Sequence, residues 1–323
     1  MISKYGFIHE INEKTMVGIL EEGKITYYKN YSSPISNIYR GVVMKQLKSL
    51  DGFVVDIGLE KNALLKRKDA PEDLKPSDQL LVELLRLGQG DKLHKVTAKY
   101  TLTDGYIVIS KSMVHDDKFD MFFRTKGKSL AQYEIESRRA TLESEMLELD
   151  RQKNFLPSPL LIKANQRLNN FVKTCDYPVY SLSEPKYEGT ILDERFFIEY
   201  NYVLSKALKE VESRVVNFDN GLQLVFDIVE ACTVIDVNTG SFGLDLSKED
   251  LSFKANMQVL DDLARLISIK SLGKMLLIDF LRMSSRADEL SLISEFKEKL
   301  KKYNVKSQIY GFTKMGLFEM IVQ

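Results

Sequence analysis

The chain has 323 residues and a mass of 37.1 kDa, which is enough for one compact body with a subdomain set into it. Hydrophobic residues make up 44% and charged residues 28%, so fibrous, coiled-coil and disordered classes are excluded. The 46 basic and 46 acidic residues balance, and binding of a polyanion would therefore require positive charge that is concentrated locally.

The sequence predicts a cytoplasmic protein that does not enter a membrane. Its longest apolar runs, such as 275–278, are too short to span a bilayer, and its first residues lack the apolar core of a signal peptide. Cys175 and Cys232 are the only cysteines, and they do not form a Cys-x-x-Cys pair. We therefore expect reduced thiols and no zinc.

The first 110 residues read as β structure. Short strands with turns at Gly18 and Gly23 come first, and a block of five strands follows between residues 35 and 110. Those five segments are 41–44, 53–57, 62–65, 80–85 and 96–98. Five short strands in about seventy residues are typical of a small oligonucleotide-binding (OB) barrel, a fold that many all-β modules resemble at this level.

The rest of the chain alternates helices and strands. Helices are predicted over Ser129–Lys153, 160–175 and 194–213. The last third predicts, in order, strands at 222–228 and 233–237, a helix at 248–269, a strand at 275–281, a helix at 287–303, and strands at 305–310 and 317–322. This order predicts an α/β arrangement with a mixed or mostly parallel sheet.

Asp236 and Asn238 form the first candidate site. They end an apolar strand before a glycine turn, and their i, i+2 spacing places them on one face. Glu230 lies six residues before Asp236, an even number, and is a further candidate catalytic residue. A turn between the two leaves open which face of the strand Glu230 shares. The alternative interpretation is that Asp236 and Asn238 only close the turn.

Asp279 is the second candidate. It interrupts the apolar run 275–281, which has the pattern of a strand buried on both faces. A buried carboxylate requires a cation, so Asp279 either pairs with Arg282 or a lysine, or binds a metal. If its strand neighbours that of Asp236, the two carboxylates and Asn238 converge, and such oxygen ligands suit Mg²⁺ or Mn²⁺.

Asn256 is a weaker candidate. The spacing of Phe253, Asn256 and Leu260 directs the asparagine toward the sheet among apolar residues. The simpler interpretation is a hydrogen bond from the helix to a loop.

Several segments together resemble a known family. The run Glu230 to Gly240 (EACTVIDVNTG) is followed by Lys254-Ala255-Asn256, by Leu272 to Phe280 (LGKMLLIDF) and by Gly316 to Met320 (GLFEM). In order and separation these resemble the nuclease core of the ribonuclease E/G family. Upstream, the entry to that family's RNA-binding barrel is resembled by segments 37–41 and 55–58. The family's pocket for an RNA 5′-monophosphate is resembled by segment 122–129.

The resemblance implies a mixed α/β fold: a DNase I-like nuclease subdomain and an RNase H-like subdomain with an inserted OB-fold barrel. The expected bounds are 1–34 and 155–211 for a trimmed RNase H-like subdomain, 35–110 for the barrel, 111–154 for a shortened 5′-end-sensing region and 212–323 for the catalytic subdomain.

The resemblance also implies a metal-dependent endoribonuclease that hydrolyses single-stranded RNA to 5′-phosphate and 3′-hydroxyl ends, in RNA processing or decay. By analogy Asp236 and Asp279 hold Mg²⁺, with Mn²⁺ as a substitute, and Asn238 assists. Arg124 and Thr125 grip the 5′-phosphate. Phe53 and Lys92 are candidate RNA contacts in the barrel.

Some residues depart from the family pattern. Arg282 stands where relatives carry a further aspartate, and Ile57 and Leu64 stand where aromatic residues would stack bases. The family's cysteine zinc link is absent from this sequence, so any oligomer is expected to form without zinc. These departures keep a second hypothesis open, a non-catalytic RNA-binding or scaffold protein with the same fold.

Overall fold

The computed structural model describes residues 3–88, 90–111, 119–152, 155, 157–182, 187, 189–192, 201–242, 248–283 and 285–322, without the side chains of 152, 201 and 248–250. Contacts divide the chain into two units. The first contains Met1–His9, Met16–Lys29 and Leu192–Gln323, and the second contains Glu10–Thr15 and Asn30–Ile191.

Nineteen strands and five α-helices lie in the described ranges. The strands are β1 (Lys4–Ile11), β2 (Lys14–Glu21), β3 (Lys24–Asn30), β4 (Ile38–Leu47), β5 (Gly52–Asp56), β6 (Ala63–Lys66), β7 (Gln79–Arg86), β8 (His94–Thr97), β9 (Thr101–Thr103), β10 (Ile107–Lys111), β11 (Phe119–Phe123), β12 (Leu160–Lys163), β13 (Val179–Ser181), β14 (Val215–Asn217), β15 (Gln223–Ile228), β16 (Thr233–Asn238), β17 (Met275–Asp279), β18 (Ser307–Phe312) and β19 (Phe318–Val322). The helices are α1 (Gln132–Gln152), α2 (Gln166–Thr174), α3 (Asn201–Glu212), α4 (Lys248–Ile269) and α5 (Arg286–Lys302).

The second unit contains a closed five-stranded barrel. Its strands pair in the order β4-β5-β6-β8-β7, and a further pairing of β4 with β7 closes the ring. Alternate side chains such as Val55, Leu65, Val82 and Val96 fill the interior. The five strands predicted from the sequence are confirmed, and with them a mixed α/β fold that contains a small barrel. The finer assignment as an OB fold stays a prediction.

A three-stranded sheet and a long helix adjoin this barrel in the same unit. The sheet order is β11-β10-β9, and α1 packs Leu142 and Met146 against Ile107 and Ile109 on one of its faces. The predicted helix at Ser129–Lys153 is confirmed with slightly shorter bounds.

The segment after α1 differs from the sequence prediction. Leu160–Lys163 forms a strand that pairs antiparallel with β4 of the barrel, so the helix predicted from residue 160 begins only at Gln166. The pairing provides hydrogen-bond partners for the backbone N–H and C=O groups of this segment, and the local helical propensity does not reveal that β4 is available to do so. Contacts place residues 155–191 in the second unit together with the barrel, and the subdomain bounds that the family resemblance implies stay a prediction.

The first unit is built around a six-stranded mixed sheet in the order β14-β15-β16-β17-β19-β18. Only β16 and β17 pair in parallel; the other neighbours are antiparallel. Phe296 of α5 contacts Phe280 and Phe318, with ring centroids 6.1 and 5.8 Å apart, so the helices cover one face. The strands and helices predicted for the last third are confirmed.

One burial prediction is wrong. The run 275–281 was expected to be buried on both faces, but Leu276 and Ile278 are buried while Met275 is 47% exposed and Asp279 is also exposed. The reason is that the described helices pack on only one side of the sheet, so alternate residues of β17 face outward.

A buried arginine joins three elements of the first unit. Arg265 of α4 is 1% exposed and donates to both carboxylate oxygens of Glu210 on α3 at 2.9 Å. It also donates to Asp262 and to the carbonyl oxygen of Ile25 on β3. Burial lowers the pKa of Arg265, but the hydrogen bonds and charges of Glu210 and Asp262 outweigh that effect and raise it.

Within the described ranges, no helix combines the length and the apolar character that a bilayer crossing requires.

Candidate functional site

Asp236 and Asp279 lie side by side near the carboxyl ends of two parallel strands. They are register partners in the pairing of β16 with β17, whose backbones are separated by about 4.8 Å. The alternation along β16 turns Asp236 and Asn238 to the face that the helices leave open. Asn238 donates from Nδ2 to Oδ2 of Asp236 at 2.8 Å. The structure thus brings together three of the four predicted catalytic residues.

No described cation neutralises this pair. Asp279 is exposed and Asp236 is half-buried, and neither forms an ion pair with a lysine or arginine of the described ranges. The alternative interpretation, a salt bridge from Asp279 to Arg282, is therefore not what the structure contains. Two neighbouring carboxylates without a cation repel one another, so the position favours binding of a positive ion.

Asn256 holds the chain that follows Asp279. Its Nδ2 donates to the carbonyl oxygen of Leu281 at 2.8 Å, and its Oδ1 accepts from the Leu281 backbone N–H at 3.0 Å. The bond from helix to loop predicted as the simpler interpretation is confirmed. Since Asn256 is fully buried, this two-way bond fixes the end of β17 relative to α4.

The turn after Asn238 requires glycine. Gly240 has a φ of +51°, and a Cβ atom there would lie 2.2 Å from the carbonyl oxygen of Gly221. A larger residue would displace the turn and with it the strand end that carries Asn238.

Two other carboxylates, those of Glu230 and Glu319, lie at different distances from the Asp236–Asp279 pair. Glu230 is exposed in the tight turn that precedes β16, closed by Val229 N–H to Cys232 O at 3.0 Å, and so lies at the opposite end of β16 from Asp236. Glu319 of β19 is the register partner of Leu277, which makes it a diagonal neighbour of Asp279, about 7 to 8 Å away. Sequence reasoning gave Glu319 no role; its position on the open face follows only from the pairing of β17 with β19.

The donor set of the pair is chemically suited to a hard divalent cation. Two carboxylates and an amide offer only oxygen ligands on the protein side, and Mg²⁺ is commonly held by one or two carboxylates plus water and substrate phosphate. No cluster of three or more histidine, cysteine, aspartate or glutamate ligands occurs in the described ranges. Such a donor set suits a divalent cation that keeps water or other non-protein oxygens among its ligands.

Arg124 and Thr125 lie at the start of a tight turn in the second unit. The Arg124 backbone N–H donates to Tyr106 O at 2.9 Å, and Gly127 N–H donates to Arg124 O at 2.9 Å. A Cβ atom at Gly127 would meet Tyr106 O at 2.1 Å, so the turn can lie this close to the β9–β10 connection only with glycine there. The turn leaves both predicted phosphate ligands exposed.

These two residues line a cleft of about 580 Å³. The other lining residues are Tyr31, Ile35, Ser36, Glu83, Thr101, Thr103, Gly105, Lys126, Gln166, Arg167, Asn170, Phe171 and Thr174. Arg167 of α2 lies over the ring of Tyr31 at 4.9 Å, and Lys126 donates to Thr174 O at 2.8 Å. Sequence reasoning missed Arg167, which no local motif distinguishes from other helix arginines.

One lining residue is a buried acid. Glu83 is 6% exposed and accepts from the backbone N–H and hydroxyl of Thr101 at 2.8 and 2.9 Å. Burial raises the pKa of Glu83, and the two bonds from Thr101 oppose that rise. The cleft therefore combines two guanidinium groups, one ammonium group and polar side chains with one carboxyl group.

The prediction that Phe53 contacts RNA is wrong in this structure. Phe53 is fully buried in the barrel core, where the Arg67 guanidinium lies 4.4 Å from its ring centre. The alternation along β5 directs Phe53 inward, which the apolar run did not reveal because both faces of β5 are buried. Lys92 is exposed in the β7–β8 connection and stays available for a phosphate contact.

Comparison with known proteins agrees with this architecture. The sequence profile of the ribonuclease E/G family matches residues 107–323, more than half of the chain. Ribonuclease E of Synechocystis is 22% identical over an alignment of 350 residues, which covers 90% of this chain and 52% of that protein. Ribonuclease G of Escherichia coli K12 is 23% identical over 354 residues, covering 88% and 72% respectively.

This mixed α/β protein with a five-stranded barrel belongs to the ribonuclease E/G family. The chain spans about half the length of the ribonuclease E relative and more of the ribonuclease G relative.

Proposed function

We propose that the chain is an endoribonuclease that hydrolyses phosphodiester bonds of single-stranded RNA in RNA processing or decay. The observation that carries this proposal is the register pairing of Asp236 with Asp279 in a member of a ribonuclease family. We further propose subdomains that resemble DNase I and RNase H and a barrel of OB type, as the family resemblance implies.

Asp236 and Asp279 would hold a Mg²⁺ ion through their carboxylate oxygens, and Asn238 orients Asp236 through its 2.8 Å hydrogen bond. When bound, such an ion polarises a phosphate and lowers the pKa of water. We expect an extended RNA strand to bind at the sheet face that carries the carboxylate pair, and products with 5′-phosphate and 3′-hydroxyl ends. Mn²⁺ should substitute because it accepts the same oxygen ligands.

The basic cleft supports a second part of the proposal, recognition of the RNA 5′ end. Arg124 and Arg167 present guanidinium groups to one cavity, and guanidinium groups grip phosphate through paired, charge-assisted hydrogen bonds. Thr125 and Asn170 add neutral hydrogen-bonding groups. A terminal monophosphate offers more oxygens and charge to this cleft than a terminal hydroxyl does.

Arg282 favours the second candidate function, an RNA-binding protein without turnover. It is exposed three residues after Asp279, where the family resemblance leads us to expect a third aspartate. The deciding experiment is incubation of a fluorescent single-stranded RNA with and without Mg²⁺, with mapping of product ends. Binding without Mg²⁺-dependent cleavage would overturn the catalytic proposal and support the second candidate.

We expect Arg124→Ala to erase a preference for 5′-monophosphorylated RNA. Cleavage of that RNA by the unaltered protein should be about tenfold or more faster than of 5′-hydroxyl RNA, because hydrogen bonds to charged groups contribute about 1.5–3 kcal/mol. Single-turnover rates on the two substrates measure this.

Lys128→Ala is the matched control for Arg124, since Lys128 lies in the same turn but does not line the cleft. It should keep the preference. Equal rates on both substrates with the unaltered protein would show that the cleft does not sense the 5′ end.

We expect no bound zinc and no zinc-dependent oligomer. Cys175 and Cys232 are 57 positions apart (232 minus 175), and His94 Nδ1 accepts from the Gly88 N–H at 2.9 Å while His9 Nε2 bonds Tyr28 Oη at 2.7 Å. His115 lies outside the described residues. Chelation should abolish activity and added Mg²⁺ should restore it. Stoichiometric zinc by elemental analysis, or dissociation of an oligomer by a chelator, would contradict this.

A further inference from the structure

The barrel does not offer an aromatic surface to RNA. Tyr39, Phe53 and Tyr100 are the only phenylalanine or tyrosine residues between positions 35 and 100, the chain has no tryptophan, and each of the three is at most 3% exposed. Proteins that bind single strands commonly stack bases on exposed aromatic rings. If this chain uses stacking, the ring must come from elsewhere.

Two exposed phenylalanines precede the phosphate-binding turn. Phe122 is 58% and Phe123 44% exposed, at the end of β11, and Arg124 and Thr125 follow directly. β11 is the edge strand of its three-stranded sheet. Adjacent exposed aromatic side chains on an edge strand are candidates for a binding surface.

The two rings face opposite sides of the sheet. Phe123 pairs with Ile107, which packs against α1, so Phe123 lies on the helix-covered face. Phe122 pairs with Val108, and Val108 in turn pairs with Thr103. Phe122 therefore lies on the other face, in one row with Val108 and Thr103.

One end of that row lies in the cleft, because Thr103 is one of the residues that line the cleft. Arg124 keeps an extended backbone, with φ −79° and ψ 168°, so Phe122 and Arg124 project to the same side about 6.6 Å apart along the strand. Within six positions of Phe122 in the sequence, the acidic residues all precede it, whereas Arg124, Lys126 and Lys128 follow it, so positive charge is concentrated on the side of the turn.

We propose that Phe122 is a stacking platform for the nucleobase of the 5′-terminal nucleotide whose phosphate occupies the cleft. The inference rests on the proposed function and adds a base-binding site to it. A phosphate bound by Arg124 in the cleft places its own nucleoside within reach of the ring of Phe122, two residues earlier in the chain. Stacking tolerates any base, because every base has a π face.

The test measures binding by the full chain in EDTA, which prevents cleavage. The probes are fluorescent ten-nucleotide RNAs with a 5′-monophosphate: one intact, one with an abasic first nucleotide and one with an abasic sixth nucleotide. We expect the intact RNA to bind about tenfold tighter than the RNA with the abasic first nucleotide, which equals about 1.4 kcal/mol, near the low end for base–aromatic stacking. The abasic sixth position should change affinity less.

Variants assign the effect to one ring. Phe122→Ala should bind the intact and 5′-abasic RNAs equally, Phe122→Trp should keep the difference, and Phe123→Ala, the matched control on the opposite face, should also keep it. Thermal melting checks that each variant is folded. If Phe122→Trp loses the difference while folded, or if Phe122→Ala and Phe123→Ala behave alike, the proposal is overturned.

The outcomes separate this proposal from the function on which it rests. A Phe122→Ala variant with an unchanged base preference, in a protein that binds and cleaves RNA, overturns the stacking platform only. Failure of the unaltered protein to bind any of the RNAs overturns both. Self-association that Phe122→Ala abolishes, with RNA affinity unchanged, would assign the ring to a protein interface and overturn the proposal.

Discussion

Replacing Asp236 or Asp279 by asparagine is expected to lower the rate of RNA cleavage by at least about 10²-fold while RNA binding is retained. Asparagine keeps the size and hydrogen bonding of the side chain but removes the charge that holds a divalent cation. Loss of one group that stabilises developing charge commonly lowers rates by about 10²–10³-fold. Single-turnover cleavage at saturating Mg²⁺ measures the first effect and fluorescence anisotropy measures the second.

Asp227→Asn is the matched control for this pair. Asp227 lies on the neighbouring strand β15, opposite Val234, and accepts from the Arg214 guanidinium at 2.6 and 2.9 Å. Because an exposed pair of this kind contributes little to stability, cleavage should stay within about twofold of the unaltered rate. Full activity in both Asp236→Asn and Asp279→Asn would remove the pair from the reaction.

Arg265→Ala is expected to lower the free energy of unfolding by about 3–5 kcal/mol. The substitution leaves the Glu210 carboxylate without its main partner and removes the bonds that join α4 to α3 and β3. That loss is a large fraction of the stability of a typical protein. Urea unfolding followed by circular dichroism measures it.

The comparison variant is Arg286→Ala, which removes an arginine whose side chain is 75% exposed and pairs with Glu289 on the same helix. Its unfolding midpoint should change little, because surface pairs contribute about 0–1 kcal/mol. Similar midpoints for Arg265→Ala and Arg286→Ala would mean that the hydrogen bonds of the buried Arg265 do not stabilise the first unit.

The amino-acid sequence determined the strand that ends in Asp236 and Asn238, and it predicted that Asp279 would meet them if the two strands were neighbours. Those inferences depend on local alternation and on the even spacing of side chains, which are properties of any β-strand. The same local signals predicted the barrel strands and the long helices α1 and α4 within a few residues.

Tertiary structure alone decided which surfaces stay open. The apolar run 275–281 does not reveal that helices cover only one side of its sheet, so the exposure of Asp279 could not be predicted. Likewise, Phe53 turns inward and Phe122 outward although both lie in apolar strand segments. Burial depends on what packs against a strand, and distant parts of the chain supply that partner.

Interactions between segments that are far apart in the sequence could not be predicted from local sequence patterns either. Arg167 lines the same cleft as Arg124 although the two lie on different elements, and Arg265 contacts Glu210 across 55 positions of sequence. Leu160–Lys163 forms a strand because the first residues of β4, which lie beyond the pairing of β4 with β5, offer backbone groups for hydrogen bonding. In each case the decisive interaction joins segments far apart in the chain, so the fold had to form before the local sequence acquired its role.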